Sequence, residues 1–122
     1  MSISTKYANT VGLKEGMIVS NEPGFYEVGS FGVRIENLLV IKPKPTPHTF
    51  NDKLYLSFEQ LTHVPIQASL IDSSLLTDAE VAWLDGYHER VWERISPRLD
   101  PASEGAAWLR KATRPLAEHC TR

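Results

Sequence analysis

Three charged residues in one short stretch of this sequence have the types and spacing for metal chemistry: Glu22, Arg34 and Glu36. Carboxylate oxygens are hard ligands that suit Mn²⁺, Mg²⁺ or Ca²⁺. Each glutamate lies among residues that would otherwise build a buried sheet, and an ionised carboxylate in such surroundings needs a cation. That cation is Arg34, a divalent metal, or both.

The segment 33–41 is apolar enough to predict a strand, and it positions two of these charges. Because alternate side chains of a strand share a face, Arg34 and Glu36 should point the same way. The intervening residues, Val33 and Ile35, should then point oppositely, into a core.

Glu22 follows a second predicted strand, 17–19, at the point where Pro23 and Gly24 turn the chain. If the two strands pair as a hairpin-like unit, Glu22 and Glu36 converge on one point. The alternative is purely structural, with Glu22 capping a turn and Glu36 pairing with charges near Arg34.

The composition is that of an ordinary soluble globular domain. The chain has 122 residues, 42% of them apolar, and its formal charge of −2 provides no basic surface for nucleic acid. No apolar run approaches the ~18 residues of a membrane span, and the first ten residues lack a secretory signal. The single Cys120 cannot form a disulfide within the chain. We therefore expect a cytoplasmic protein that binds neither nucleic acid nor membrane.

Strands and turns are predicted over the first 70 residues. Segment 42–47 contains three prolines, which remove three backbone donors, and is predicted to be an exposed connection outside the sheet. Leu54, Leu56 and Phe58 alternate with more polar residues, which is the pattern of a strand with one buried face. Segment 64–66 is expected to add a short edge strand.

The first of two predicted helices begins with a capping box of Thr77 and Glu80. Leu76 and Val81 are placed to form the hydrophobic staple that accompanies such a cap. Apolar residues then follow three- and four-residue spacing, which predicts one apolar face, until Pro97 ends the helix.

The second helix is predicted to start at an Asp100 cap, with Pro101 in the first helical position, and to end near Arg114, before Pro115. The three tryptophans are predicted to be packing residues: Trp83, Trp92 and Trp108.

Three motifs are specific enough to compare with a known family: Gly-Met-Ile-Val-Ser-Asn-Glu-Pro-Gly-Phe-Tyr-Glu at 16–27, Phe-Gly-Val-Arg-Ile-Glu-Asn-Leu-Leu-Val at 31–40 and Leu-Ser-Phe-Glu-Gln-Leu-Thr at 56–62. They resemble the C-terminal part of the Xaa-Pro aminopeptidase (aminopeptidase P) family of pita-bread metallopeptidases. The resemblance implies an α+β fold, the C-terminal part of a pita-bread domain, with antiparallel strands followed by two helices. Residues 1–70 would belong to the catalytic domain, and residues 71–122 would form its helical C-terminal extension.

In that family two aspartates, one histidine and two glutamates hold two divalent ions, usually manganese. By resemblance, Glu22 binds one ion and relays protons, and Glu36 bridges both ions. Arg34 and Tyr26 match residues that contact the metal ligands and orient them. The implied reaction is hydrolysis of the N-terminal Xaa-Pro bond in peptides with proline second, by a water that the metals activate.

The sequence departs from the family pattern, because no aspartate precedes Glu22 and all four histidines follow Glu36. We therefore expect a C-terminal fragment that supplies two of five ligands, binds metal weakly or not at all, and is inactive without the missing N-terminal part. Alternatives are a non-catalytic interaction or dimerisation module and a prolidase-type fragment. Strand edges left uncovered by truncation predict a homo-oligomer.

Overall fold

A computed structural model of the chain describes residues 11–119, so Cys120 and the expectations about the first ten residues lie outside the described residues. The chain divides into two compact units, one ending at Thr62 and the other beginning at His63. The first unit contains strands and the second contains helices, as the predicted α+β class requires. Within residues 11–119, no helix combines the length and apolarity needed to cross a membrane.

The first unit is built on antiparallel strand pairs. One sheet has the order β1-β4-β5, and a separate two-stranded sheet pairs β2 with β3. The strands are β1 (Ile18–Asn21), β2 (Gly24–Tyr26), β3 (Gly32–Arg34), β4 (Asn37–Lys44) and β5 (Tyr55–Gln60).

The β1–β4 and β2–β3 pairings follow one register, so together they form an interrupted hairpin. Asn21 pairs with Asn37 at the end of the first ladder, and the second ladder begins three residues further along each strand. Between the ladders, the Ile35 amide donates to the Pro23 carbonyl at 3.2 Å. Because Pro23 has no N–H to give in return, the ladder is broken here. The prediction of one uninterrupted strand over 33–41 was therefore wrong.

Segment 42–44 belongs to β4, contrary to the prediction that the proline-rich stretch lies outside the sheet. The Ile41 amide donates to Met17 at 2.9 Å, so Ile41 turns its backbone groups towards β1. Pro43, two residues on, turns its backbone the same way. Because β1 begins at Ile18, opposite Val40, it has no paired residue opposite Pro43. Its missing N–H therefore costs no ladder hydrogen bond, while Pro43 still pairs with Leu56 of β5.

Much of the apolar surface of the first unit is exposed. Val19 and Ile41 are buried in this unit, but the predictions of a buried face in β5 and of a core beneath β3 were wrong. A single sheet layer cannot cover its own faces, so apolar side chains remain open. The predicted core positions that are exposed are Val33, Ile35, Leu54, Leu56 and Phe58.

The second unit contains helices α1 (Asp78–Ile95), α2 (Glu104–Ala112) and α3 (Leu116–His119). The capping box at the start of α1 is confirmed. The Thr77 hydroxyl accepts from the Glu80 amide at 3.3 Å, and the Glu80 carboxylate accepts from the Thr77 amide at 2.8 Å. Leu76 and Val81, the predicted staple, pack against the same core cluster.

Two clusters of buried residues form the core of the helical unit: Ala68, Leu84 and Leu116 in one, and Tyr87, Val91 and Leu109 in the other. The expected edge strand at 64–66 is absent from this described segment. Instead the segment binds α1, since the Tyr87 hydroxyl donates to the Val64 carbonyl and the Ile66 amide donates to His88 Nε2 at 3.1 Å.

The second helix begins later than predicted. Ser103, not Asp100, is its cap, and its hydroxyl accepts from the Ala106 amide at 3.2 Å. The Asp100 side chain accepts from Ala102 and so stabilises the preceding turn. Of the tryptophans, Trp92 packs against the second core cluster, and Trp83 is half exposed but stacks on Tyr87 with ring centroids 5.9 Å apart. Trp108 is 58% exposed, contrary to the packing interpretation.

Candidate metal centre

Glu22 and Glu36 lie opposite each other in the interrupted hairpin. The register that pairs Asn21 with Asn37 places Glu22 across from Glu36 one step further on, and the β2–β3 pairs resume the same register. Opposite residues of an antiparallel pair share a face, so both carboxylates project from one side. They occupy the gap between the two ladders.

Arg34 lies on the same face and contacts both glutamates. Its guanidinium nitrogens are 3.5 Å from Glu22 Oε2 and 3.4 Å from Glu36 Oε2. The three side chains are 43–48% exposed, so the expectation of a low-dielectric interior was wrong for this structure. The resemblance implied that Arg34 contacts metal ligands and orients them. In the described residues it contacts the two glutamates and offsets part of their charge.

Sequence reasoning missed Ser20. Its hydroxyl donates to Glu22 Oε1 at 2.7 Å, so the two oxygens of Glu22 have different partners. The signal was available, because Ser20 precedes Glu22 by two residues at the end of β1 and alternate residues of a strand share a face.

Tyr26 also belongs to this face, and its ring lies over two glycines. A Cβ on Gly24 would lie 2.6 Å from the Tyr26 hydroxyl oxygen, and a Cβ on Gly32 would lie 2.7 Å from Tyr26 Cδ1. Gly24 pairs with Arg34 across β2 and β3. The ring therefore leans back along the hairpin towards Arg34, in space that only glycine leaves open.

The arrangement provides oxygen ligands but not a complete metal site. Within residues 11–119, no three histidine, cysteine or acidic side chains are grouped closely enough to hold a metal ion. Two facing carboxylates suit a hard divalent cation such as Mn²⁺, which needs further ligands to complete its coordination. The residues present therefore fit part of a metal centre.

Two family descriptions match the chain. The C-terminal region of peptidase M24 matches residues 54–116, and metallopeptidase family M24 matches residues 2–43. The chain therefore belongs to metallopeptidase family M24 and includes the C-terminal region of that family.

Relatives agree with this assignment. Aminopeptidase P2 of Arabidopsis thaliana is 53% identical over 96% of this chain, and a probable Xaa-Pro aminopeptidase P of Coprinopsis cinerea is 48% identical over 95%. The chain spans only 16% and 18% of those two proteins.

A solved structure is similar as well. X-prolyl aminopeptidase of Caenorhabditis elegans, described as a cytosolic enzyme with a di-nuclear active site, matches with a TM-score of 0.72 and 34% identity. The match covers 84% of this chain and 17% of that enzyme. The predicted likeness to the C-terminal part of a pita-bread aminopeptidase P is thereby confirmed.

Proposed function

We propose that this chain contributes two glutamate ligands, Glu22 and Glu36, to the dinuclear metal centre of an Xaa-Pro aminopeptidase. The observation that carries the proposal is their opposition across one hairpin, with both carboxylates on the same face. A cationic group already lies at this position, since the Arg34 guanidinium is within 3.5 Å of both carboxylates.

Each residue of the face has a proposed task in the complete enzyme. Glu22 would hold one ion and carry a proton, and Glu36 would bridge two ions. Bound Mn²⁺ would lower the pKa of water and polarise the peptide carbonyl. Arg34 would offset the excess negative charge and, with Tyr26, hold the glutamates in position. The substrates would be peptides with proline in the second position.

Completion of the centre requires ligands from elsewhere. Two carboxylates without further ligands form an open site, so we propose that activity requires an N-terminal part carrying two aspartates and a histidine. We also propose that residues 1–70 belong to the catalytic domain and that 71–122 form its helical extension. A cytosolic location is supported by the description of the nematode enzyme.

The decisive experiment substitutes Glu36→Gln in a polypeptide that joins this chain to such an N-terminal part. Glutamine keeps the size of the side chain but removes the negative charge that a bridging ligand needs. Hydrolysis of Xaa-Pro peptides should fall by more than about 100-fold, because residues that merely orient metal ligands are already worth 10–100-fold. Glu27→Gln, on the exposed turn after β2, is the matched control. Full activity of the Glu36→Gln enzyme would remove the assignment.

A second candidate function, an interaction or dimerisation module, is favoured by the apolar surface of the first unit. Ile18 and Leu38 are 61% and 45% exposed on the face that also carries Glu22. Exposed apolar side chains of this kind are typical of surfaces that another chain or segment covers. Sedimentation equilibrium of the 122-residue chain tests the proposed homo-oligomer, which a strictly monomeric protein at high concentration would exclude.

A further inference from the structure

We propose that Ser20 is a positioning residue that fixes the orientation of the Glu22 carboxylate for metal binding. This inference rests on the proposed function of Glu22 and extends it to a side chain with no assigned role. It begins from the 2.7 Å hydrogen bond that the Ser20 hydroxyl donates to Glu22 Oε1.

The backbone of Ser20 is held more firmly than that of Glu22. Ser20 lies within β1 and pairs with Leu38 of β4, whereas Glu22 lies beyond the last paired residue, in the interruption of the hairpin. Glu22 also has three rotatable side-chain bonds, and without a partner its carboxylate would sample several rotamers. The Ser20 hydroxyl therefore connects a fixed strand to a ligand that lies outside the ladder.

The other partner of Glu22 constrains it less. Arg34 Nη1 is 3.5 Å from Oε2, which is beyond the usual range of a charge-assisted hydrogen bond, and the Arg34 side chain is about half exposed. Ser20 makes the shorter contact, and a serine loses little rotamer freedom in making it. Of the two contacts, the hydroxyl sets the direction of the carboxylate.

The hydrogen bond is compatible with metal coordination. A carboxylate oxygen has two lone pairs, so Oε1 can accept from Ser20 and still face a cation. Carboxylates that bind metals are usually held by such hydrogen bonds, which reduce the entropy lost when the metal arrives. Ser20 therefore prepares Glu22 before any ion binds.

The test compares the wild-type chain with Ser20→Ala and with Ser20→Thr, which restores a hydroxyl in a residue that strands accept. Ser30→Ala is the control, since Ser30 lies on the exposed turn and donates there through its backbone amide. Two readouts are needed: three-bond NMR couplings that report the Glu22 side-chain rotamers without metal, and the Mn²⁺ dissociation constant from electron paramagnetic resonance of free Mn²⁺.

In wild type, Ser20→Thr and Ser30→Ala, the couplings should show one dominant Glu22 rotamer, and in Ser20→Ala they should become averaged. The Mn²⁺ dissociation constant of Ser20→Ala should rise by about tenfold, and Ser20→Thr should reverse that change. Unchanged couplings in Ser20→Ala would overturn the positioning role. If Glu36→Gln leaves full activity in the polypeptide that joins this chain to an N-terminal part, the proposed function fails, while the couplings still decide the role of Ser20.

Discussion

Glu22 and Glu36 face each other across the gap between two ladders of one hairpin, and the Arg34 guanidinium lies within 3.5 Å of both carboxylates. Two facing carboxylates repel each other unless a cation offsets their charge. Arg34 provides one positive charge for two negative ones, so the three side chains together keep one negative charge.

The 122-residue chain should bind Mn²⁺ weakly and should not cleave Xaa-Pro peptides. Two carboxylates leave most coordination positions of the metal to water, and Arg34 already compensates part of their charge. Titration followed by electron paramagnetic resonance should show binding that Glu36→Gln weakens further. Turnover by metal-loaded chain freed of contaminating peptidases would contradict the proposed need for additional ligands.

Gly32→Ala should displace Tyr26 and destabilise the β2–β3 hairpin. The added Cβ would lie 2.7 Å from Tyr26 Cδ1, a distance that atoms in contact do not tolerate, so the ring must move. Near-ultraviolet circular dichroism of the tyrosine and the free energy of unfolding should both change.

The control for that experiment is Gly12→Ala, because a Cβ there would meet no atom within 4 Å. A double-mutant cycle identifies the cause. In a Tyr26→Ala background, Gly32→Ala should lower the free energy of unfolding much less, since the clashing ring is gone. An equal decrease of the free energy of unfolding in both backgrounds would show that Tyr26 does not require Gly32.

Thr77→Ala should destabilise the helical unit by about 1 kcal/mol, the usual value of an N-cap side chain. The substitution removes the hydroxyl that accepts from the Glu80 amide and donates to the Glu80 carboxylate, so the amide keeps only the Thr77 carbonyl as its partner at the start of α1. Urea unfolding followed by far-ultraviolet circular dichroism measures the change. Thr49→Ala, in the exposed segment between β4 and β5, should leave the urea concentration at the midpoint of unfolding unchanged.

Acid should destabilise the protein through His88. Burial lowers the pKa of His88, and its Nε2 accepts from the Ile66 amide, which only the neutral ring can do. Because the folded pKa lies below the unfolded value of about 6.5, the unfolded state binds more protons. The free energy of unfolding should therefore be fully retained above about pH 6.5 and fall as the pH drops towards the folded pKa.

Urea unfolding between about pH 5 and pH 7.5 measures this dependence, and His88→Gln should remove much of it. His48→Gln, at an exposed position between β4 and β5, is the matched control. Nitrogen chemical shifts of the His88 ring should show Nε2 unprotonated at neutral pH. A slope unaffected by His88→Gln would show that His88 does not carry the dependence.

Local signals in the sequence were sufficient for several features. The capping box of Thr77 and Glu80 depends on residues three positions apart, and Arg34 and Glu36 share a face because strand side chains alternate. The glutamate motifs also carried the family resemblance. Such features depend on near neighbours in the chain, which a sequence displays directly.

Features that depend on distant partners were decided only by the tertiary structure. Pro43 could enter β4 because β1 does not extend far enough to pair with it. Glu22 lies opposite Glu36 because the hairpin register continues across the break at Pro23. The exposure of Val33 and Phe58 likewise depends on what lies over the sheet, not on their own hydrophobicity. Alternation predicts which residues share a face, but burial requires a second layer, and that is a property of the assembled fold.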